Sequence, residues 1–144
     1  MPGQWEAGLI WQTIVNAIKD SYEKQEETIK VVVPLVNYLK GKKWKVKKAH
    51  GSQYSRGWPD LYAMHRDYAP KWIECKVNRN GSIHFTDHQI QEFPEWIKHG
   101  NNFWIIAEVD LRNNPSGLDR VYRTLFGPPN AHLLLNPLTR GSYL

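Results

Sequence analysis

The chain has 144 residues, 41% of them hydrophobic and 23% charged, a balance that fits one globular domain with one core and excludes a disordered or fibrous polymer. Its formal charge of +5 suits a polyanionic partner without identifying one, because many basic domains bind no nucleic acid. A single cysteine, Cys75, excludes an internal disulfide, and no run approaches the ~20 apolar residues that cross a bilayer, so the expectation is an intracellular, cytoplasmic protein with no signal peptide and no membrane partner.

In chain order, Trp5, Leu9, Ile10, Ile14 and Ile18 fall at three- and four-residue steps and predict a helix over 5–19 with one apolar stripe. A second helix is expected over 21–40. Glu23, Glu26 and Glu27 suit its N-terminus, Pro34 should kink or interrupt it, and Gly41 should stop it. Residues 43–49 alternate, with Trp44 and Val46 on one face and lysines on the other, as in a strand with one wet face. Residues 51–57 form a loop, 60–65 a second strand, 67–70 a turn and 71–77 a third strand, followed by a turn-rich stretch over 78–82. Thr86 and Gln89 have capping-box spacing, so a helix begins there and ends near Gly100. Residues 103–109 read as a strand buried on both faces. The signal then weakens to a short helix over 117–126 and a short strand over 131–135. The order predicts an α/β fold, a mixed β-sheet flanked by helices.

The third strand carries the chemistry. Alternation puts Ile73, Cys75 and Val77 on its core face and Trp72, Glu74 and Lys76 on the other. A carboxylate and an ammonium on so apolar a strand need a partner or a metal. Asp60 opens the preceding strand, and the short connection between the two favours hairpin-like pairing, which brings Asp60 close to Glu74. Two carboxylates and a lysine at one strand end offer hard oxygen ligands suited to Mg²⁺, with Mn²⁺ as a substitute. No Cys/His cluster has zinc spacing, and no Ser- or Cys-based triad emerges.

These residues resemble a family. The step Gly57-Trp58-Pro59-Asp60-Leu61, the strand Ile73-Glu74-Cys75-Lys76 and the helix bearing Gln89 are together similar to the PD-(D/E)XK nuclease superfamily, nearest its Holliday-junction-resolvase-like and VRR-NUC branches. The resemblance spans roughly 23–109. It implies a restriction-endonuclease-like fold in a single nuclease domain, with 1–22 as a helical extension and 110–144 as a tail. It also implies a Mg²⁺-dependent endodeoxyribonuclease. Asp60, Glu74 and the Cys75 backbone carbonyl would bind the metal, and Lys76 would orient the attacking water or stabilise the transition state. Of the upstream glutamates Glu27 is the first choice, with Glu23 and Glu26 open, and Gln89 joins the site. The implied partner is DNA, held by Lys43, Lys45, Lys47, Lys48, Arg56 and Arg79 through phosphate contacts. Tyr54 and Trp58 are candidates to stack on bases or to pack in the core. A homodimer suits paired cuts, and the apolar stripe of the N-terminal helix either supplies its interface or folds back onto the core.

The resemblance leaves open a structure-selective enzyme for junctions or flaps and a phage or mobile-element nuclease. Three other readings compete: a catalytically silent DNA-binding module on the same fold, a structural or assembly protein that uses aromatic surfaces and has no nucleic-acid role, and a plain solvated strand face at Glu74 and Lys76 with Asp60 as a strand-start cap.

Overall fold

The computed structural model describes residues 4–49, 57–99 and 102–127, with backbone alone for 4–6. From Gln4 to Gly41 the backbone is helical without a break: α1 (Gln4–Glu27), a π-helical segment (Thr28–Val32) and α2 (Val33–Gly41). The boundary expected near residue 20 is absent. No glycine or proline lies there to stop the helix, and Glu23, Glu26 and Glu27 sit in its last turns instead of opening a new one.

The irregularity belongs to Pro34. Proline has no N–H for the carbonyl four residues earlier, here Lys30. That carbonyl accepts instead from the Leu111 N–H at 2.8 Å. One residue before the proline, Val33 donates back five residues to Thr28, the π-type bond. Pro34 therefore begins a new α-helical stretch at α2 without ending the helical path.

Four strands follow, β1 (Lys45–Lys48), β2 (Leu61–Met64), β3 (Lys71–Val77) and β4 (Phe103–Glu108), in the order β1-β2-β3-β4. The first two pairings are antiparallel and the third is parallel, so the sheet is mixed. Between β3 and β4 runs α3 (Asp87–Lys98), whose start shows both bonds of the capping box between Thr86 and Gln89. After β3, Asn80 and Gly81 both take positive φ, and Arg79 and Ser82 exchange two backbone hydrogen bonds, as a two-residue hairpin turn requires.

Both faces of the sheet carry a core, the second of them over β3 and β4 alone. Val31, Leu35 and Leu39 pack with Leu61, Ile73, Cys75, Val77, Trp104 and Ile106 on one. Phe85, Phe93 and Ile97 pack with Phe103 and Ile105 on the other. The stretch after Asp110 is not the loose tail that its sequence suggested, since Leu111, Val121 and Leu125 belong to the first core. They reach it through α4 (Pro115–Thr124), which starts earlier than expected because the Asn114 side chain caps it by accepting from the Gly117 N–H. The strand expected at 131–135 and the helix stop at Gly100 lie outside the described residues. Among those residues, no helix is long and apolar enough to cross a membrane.

Candidate active site

The pairing of β2 with β3 ends at Leu61 opposite Ile73, while β3 continues to Val77. Past that point the β2-side edge of β3 has no strand partner among the described residues. The Asp60 carboxylate fills the gap, accepting from the Cys75 N–H at 3.0 Å. In return the Asp60 N–H donates to Glu74 at 3.1 Å. These two bonds fix both carboxylates to backbone and hold them in register. A strand residue's N–H and C=O point to the same edge, so the Cys75 carbonyl opens on the same gap.

Glu74 is 1% exposed and Lys76 6%. That excludes the reading of this face as a solvated surface. The Lys76 ammonium lies 3.4 Å from Glu74 and 5.1 Å from the Phe85 ring centre. Gln89 ties the group together. Its Oε1 accepts from Lys76 at 2.7 Å and from the Thr86 N–H at 3.0 Å, and its Nε2 donates to Glu74 at 2.9 Å. One side chain thus serves both the helix cap and the buried ion pair.

Glu27 reaches the same place from the end of α1. Ligand oxygens of Glu27, Asp60 and Glu74 all lie within 4.8 Å of one another. Its neighbours take other positions: Glu26 is held by Arg79 at 2.8 Å and Lys30 at 3.0 Å, and Glu23 lines the cleft above. The cleft measures about 320 Å³ and has Asp20, Glu23, Lys24 and Glu27 along one wall. Those four follow i, i+3, i+4, i+7 spacing and so share one helix face. The spacing is legible in the sequence, but a helix boundary placed between 19 and 21 hides it. Asp20, Lys24 and His84 are lining residues that sequence reasoning missed.

Electrostatics explain why the cluster is unsatisfied by itself. Burial raises the Glu74 carboxyl well above the carboxylate range, and the neighbouring Asp60 charge adds to it. Burial also raises Asp60, against the Cys75 N–H bond and Lys76, which pull it down. Glu27 rises to about 7, mainly by burial, with Lys76 opposing and Asp60 adding. In contrast, hydrogen bonds from Arg79 and then Lys30 hold Glu26 below its usual value. Three carboxylates facing one ammonium leave a formal charge of −2, which calls for protons or for an external cation. Burial pushes the Cys75 thiol up, which disfavours the thiolate.

The basic residues are less concentrated than the sequence suggested. Lys45 faces Met64 and Lys48 faces Leu61, so only the Lys48 end of β1 adjoins Asp60. Lys45 lies ~10 Å further along the strand, and Lys43 sits beyond it in a turn with φ 74. Arg79 lines the cleft while bound to Glu26. Arg56 and Tyr54 lie outside the described residues. Gly57 is required where it stands: its φ is +79, and an added Cβ would lie 2.6 Å from the Glu92 Cγ. The chain therefore enters Asp60 pressed against α3. No protein-family model matches the chain, and no curated protein matches it by sequence.

Proposed function

We propose that this chain is a divalent-metal-dependent DNA endonuclease with a restriction-endonuclease-like core. The observation that carries the reading is the convergence of Glu27, Asp60 and Glu74 within 4.8 Å, with the Lys76 ammonium 3.4 Å from Glu74, at the floor of an open cleft. The donor set is all oxygen, and its negative charge exceeds its own cation, which fits Mg²⁺ or Mn²⁺ and does not fit zinc. Glu27, Asp60, Glu74 and the Cys75 carbonyl would hold the ion. When bound, such an ion lowers the pKa of a water ligand and neutralises charge on a phosphodiester.

The remaining roles belong to the chain's own groups. The Cys75 N–H keeps Asp60 oriented in advance of any ligand. Gln89 and Glu74 hold the Lys76 ammonium in place. From there it donates to a phosphate oxygen as negative charge develops, or orients the attacking water. Arg79 and Lys24 on the walls are placed to meet phosphates once a bound cation offsets the acidic lining of Asp20, Glu23 and Glu27.

A homodimer forms part of the proposal. Ile10, Ile14, Ile18 and Tyr22 are 62%, 44%, 64% and 68% exposed on one stripe of α1, and a second copy would cover them. Light scattering should give a dimer for the native chain and a monomer for Ile14→Glu/Ile18→Glu. A native monomer at high concentration would remove this part alone.

The activity is tested by Mg²⁺-dependent nicking of supercoiled plasmid. Asp60→Asn and Lys76→Ala should each slow nicking by ~100-fold or more. DNA binding without nicking by the native chain would favour the silent module instead.

A further inference from the structure

On the α3 side of the sheet, α3 packs against β3 and β4 and leaves β1 and β2 open. The register sets Lys47, Tyr62 and Trp72 side by side in one row across β1, β2 and β3, with Lys45 beside Met64 in the next row but one. Both lysines are exposed. The aromatic residues continue into a cluster. The Tyr62 and Trp72 ring centres are 4.4 Å apart, Trp72 and Trp96 5.0 Å, and Trp58 stands 6.0 Å from Trp72 and 5.8 Å from Trp96. Rings that serve only as core are buried, as Phe85, Phe93 and Phe103 are on the same side. These four are not: Trp58 is 46% exposed, and Tyr62, Trp72 and Trp96 are each partly open.

The cluster is joined to the cleft. Trp58 lies two residues before Asp60, and Gly57 fixes that segment against α3 at Glu92. Trp96 is on the same helix as Gln89, ~10 Å further along. A strand leaving the cleft in this direction meets the rings within a few nucleotides.

We infer that Trp58, Trp72, Trp96 and Tyr62, flanked by Lys45 and Lys47, form a stacking platform for an unpaired DNA strand continuous with the cleft. Every base has a π face, so such rings hold single strands with little sequence preference, whereas duplex bases are already stacked and hidden. Charge sets the orientation. Glu92 and Glu95 line the far side of the groove beside Trp72 and Trp96, and they repel phosphates. The backbone is therefore directed toward Lys45 and Lys47, with bases turned to the rings. The inference rests on the nuclease reading for its DNA partner, and it narrows the substrate to DNA with a single-stranded flank.

The test is anisotropy of a short fluorescein-labelled oligodeoxythymidine in EDTA, where no cleavage occurs, beside a labelled blunt duplex. Trp58→Ala should weaken the oligothymidine by about ten-fold and leave the duplex unchanged, and Trp58→Phe should retain most of the affinity. Lys45→Ala/Lys47→Ala should lower the slope of log K against log salt by ~1.4 for the single strand. Trp58 and both lysines are exposed and belong to neither core, so their replacement leaves both cores intact. Equal affinities for native, Trp58→Ala and Trp58→Phe would overturn the platform, as would failure of the native chain to bind the oligothymidine. If binding follows the prediction while Mg²⁺ gives no cleavage of flanked duplexes, the nuclease reading fails and the platform stands.

Discussion

Glu27 brings charge into a place where charge is costly. Its carboxyl is pushed up to about 7 by burial, against about 4.5 in the unfolded chain. The folded protein therefore holds this proton more tightly than the unfolded one, and stability falls as pH rises from about 5 through about 7. Asp60 and Glu74 shift in the same direction. In metal-free buffer Glu27→Gln should be more stable than the native chain by ~1–3 kcal/mol at about pH 8, with the difference vanishing at about pH 4. Urea unfolding at the two pH values measures it. A difference independent of pH would mean that Glu27 does not share the buried cluster. The same residue scale shows what the sequence discloses. Asp60, Glu74 and Lys76 were legible because strand alternation and one short connection determine where they meet. The double duty of Gln89 was only half legible: the capping box follows from spacing, but its bonds to Lys76 and Glu74 depend on where α3 docks.

At the scale of elements, local rules succeeded where the contacts were local. The bounds of β3 and the start of α3 follow from alternation and a cap. The helix boundary expected near residue 20 was misplaced, since no glycine or proline stops the helix there, while the irregularity falls at Pro34, where the sequence pointed; only its compensating partner is not local. The carbonyl that Pro34 leaves free is satisfied by Leu111, far along the chain, and nothing near residue 30 announces that partner. The weight of α4 was likewise hidden. It is tied to β3 by Lys71, a buried lysine with no acidic partner among the described residues, whose ammonium donates to the Leu125 carbonyl at 2.6 Å and lies 4.5 Å from the Trp104 ring centre and 4.8 Å from that of Phe126. Burial lowers its pKa. Lys71→Ala removes a charged hydrogen bond and a desolvated cation–π contact and leaves a cavity, and should cost ~2–4 kcal/mol. Lys71→Met refills the space and should cost less than half of that. Denaturant midpoints for the two variants test the ranking, and equal losses would show that the ammonium, not the volume, is what matters.

For the whole molecule, the distribution of charge is the main feature. A chain of net charge +5 concentrates three carboxylates around one lysine in its cleft, while lysines occupy the outer face of β1. Evenly balanced charge would serve stability better, and the cluster departs from it where a ligand would restore the balance. The helix α1 follows a similar logic, since its polar face supplies the cleft while an apolar stripe is exposed. Calorimetric titration of the metal-free protein with Mn²⁺ at about pH 8 measures this most directly. The native chain should bind Mn²⁺ and gain thermal stability with it, and Asp60→Asn should lose at least ~10-fold in affinity together with that gain. Equal Mn²⁺ binding by the two proteins, or no binding by the native chain, would contradict a metal centre at Glu27, Asp60 and Glu74.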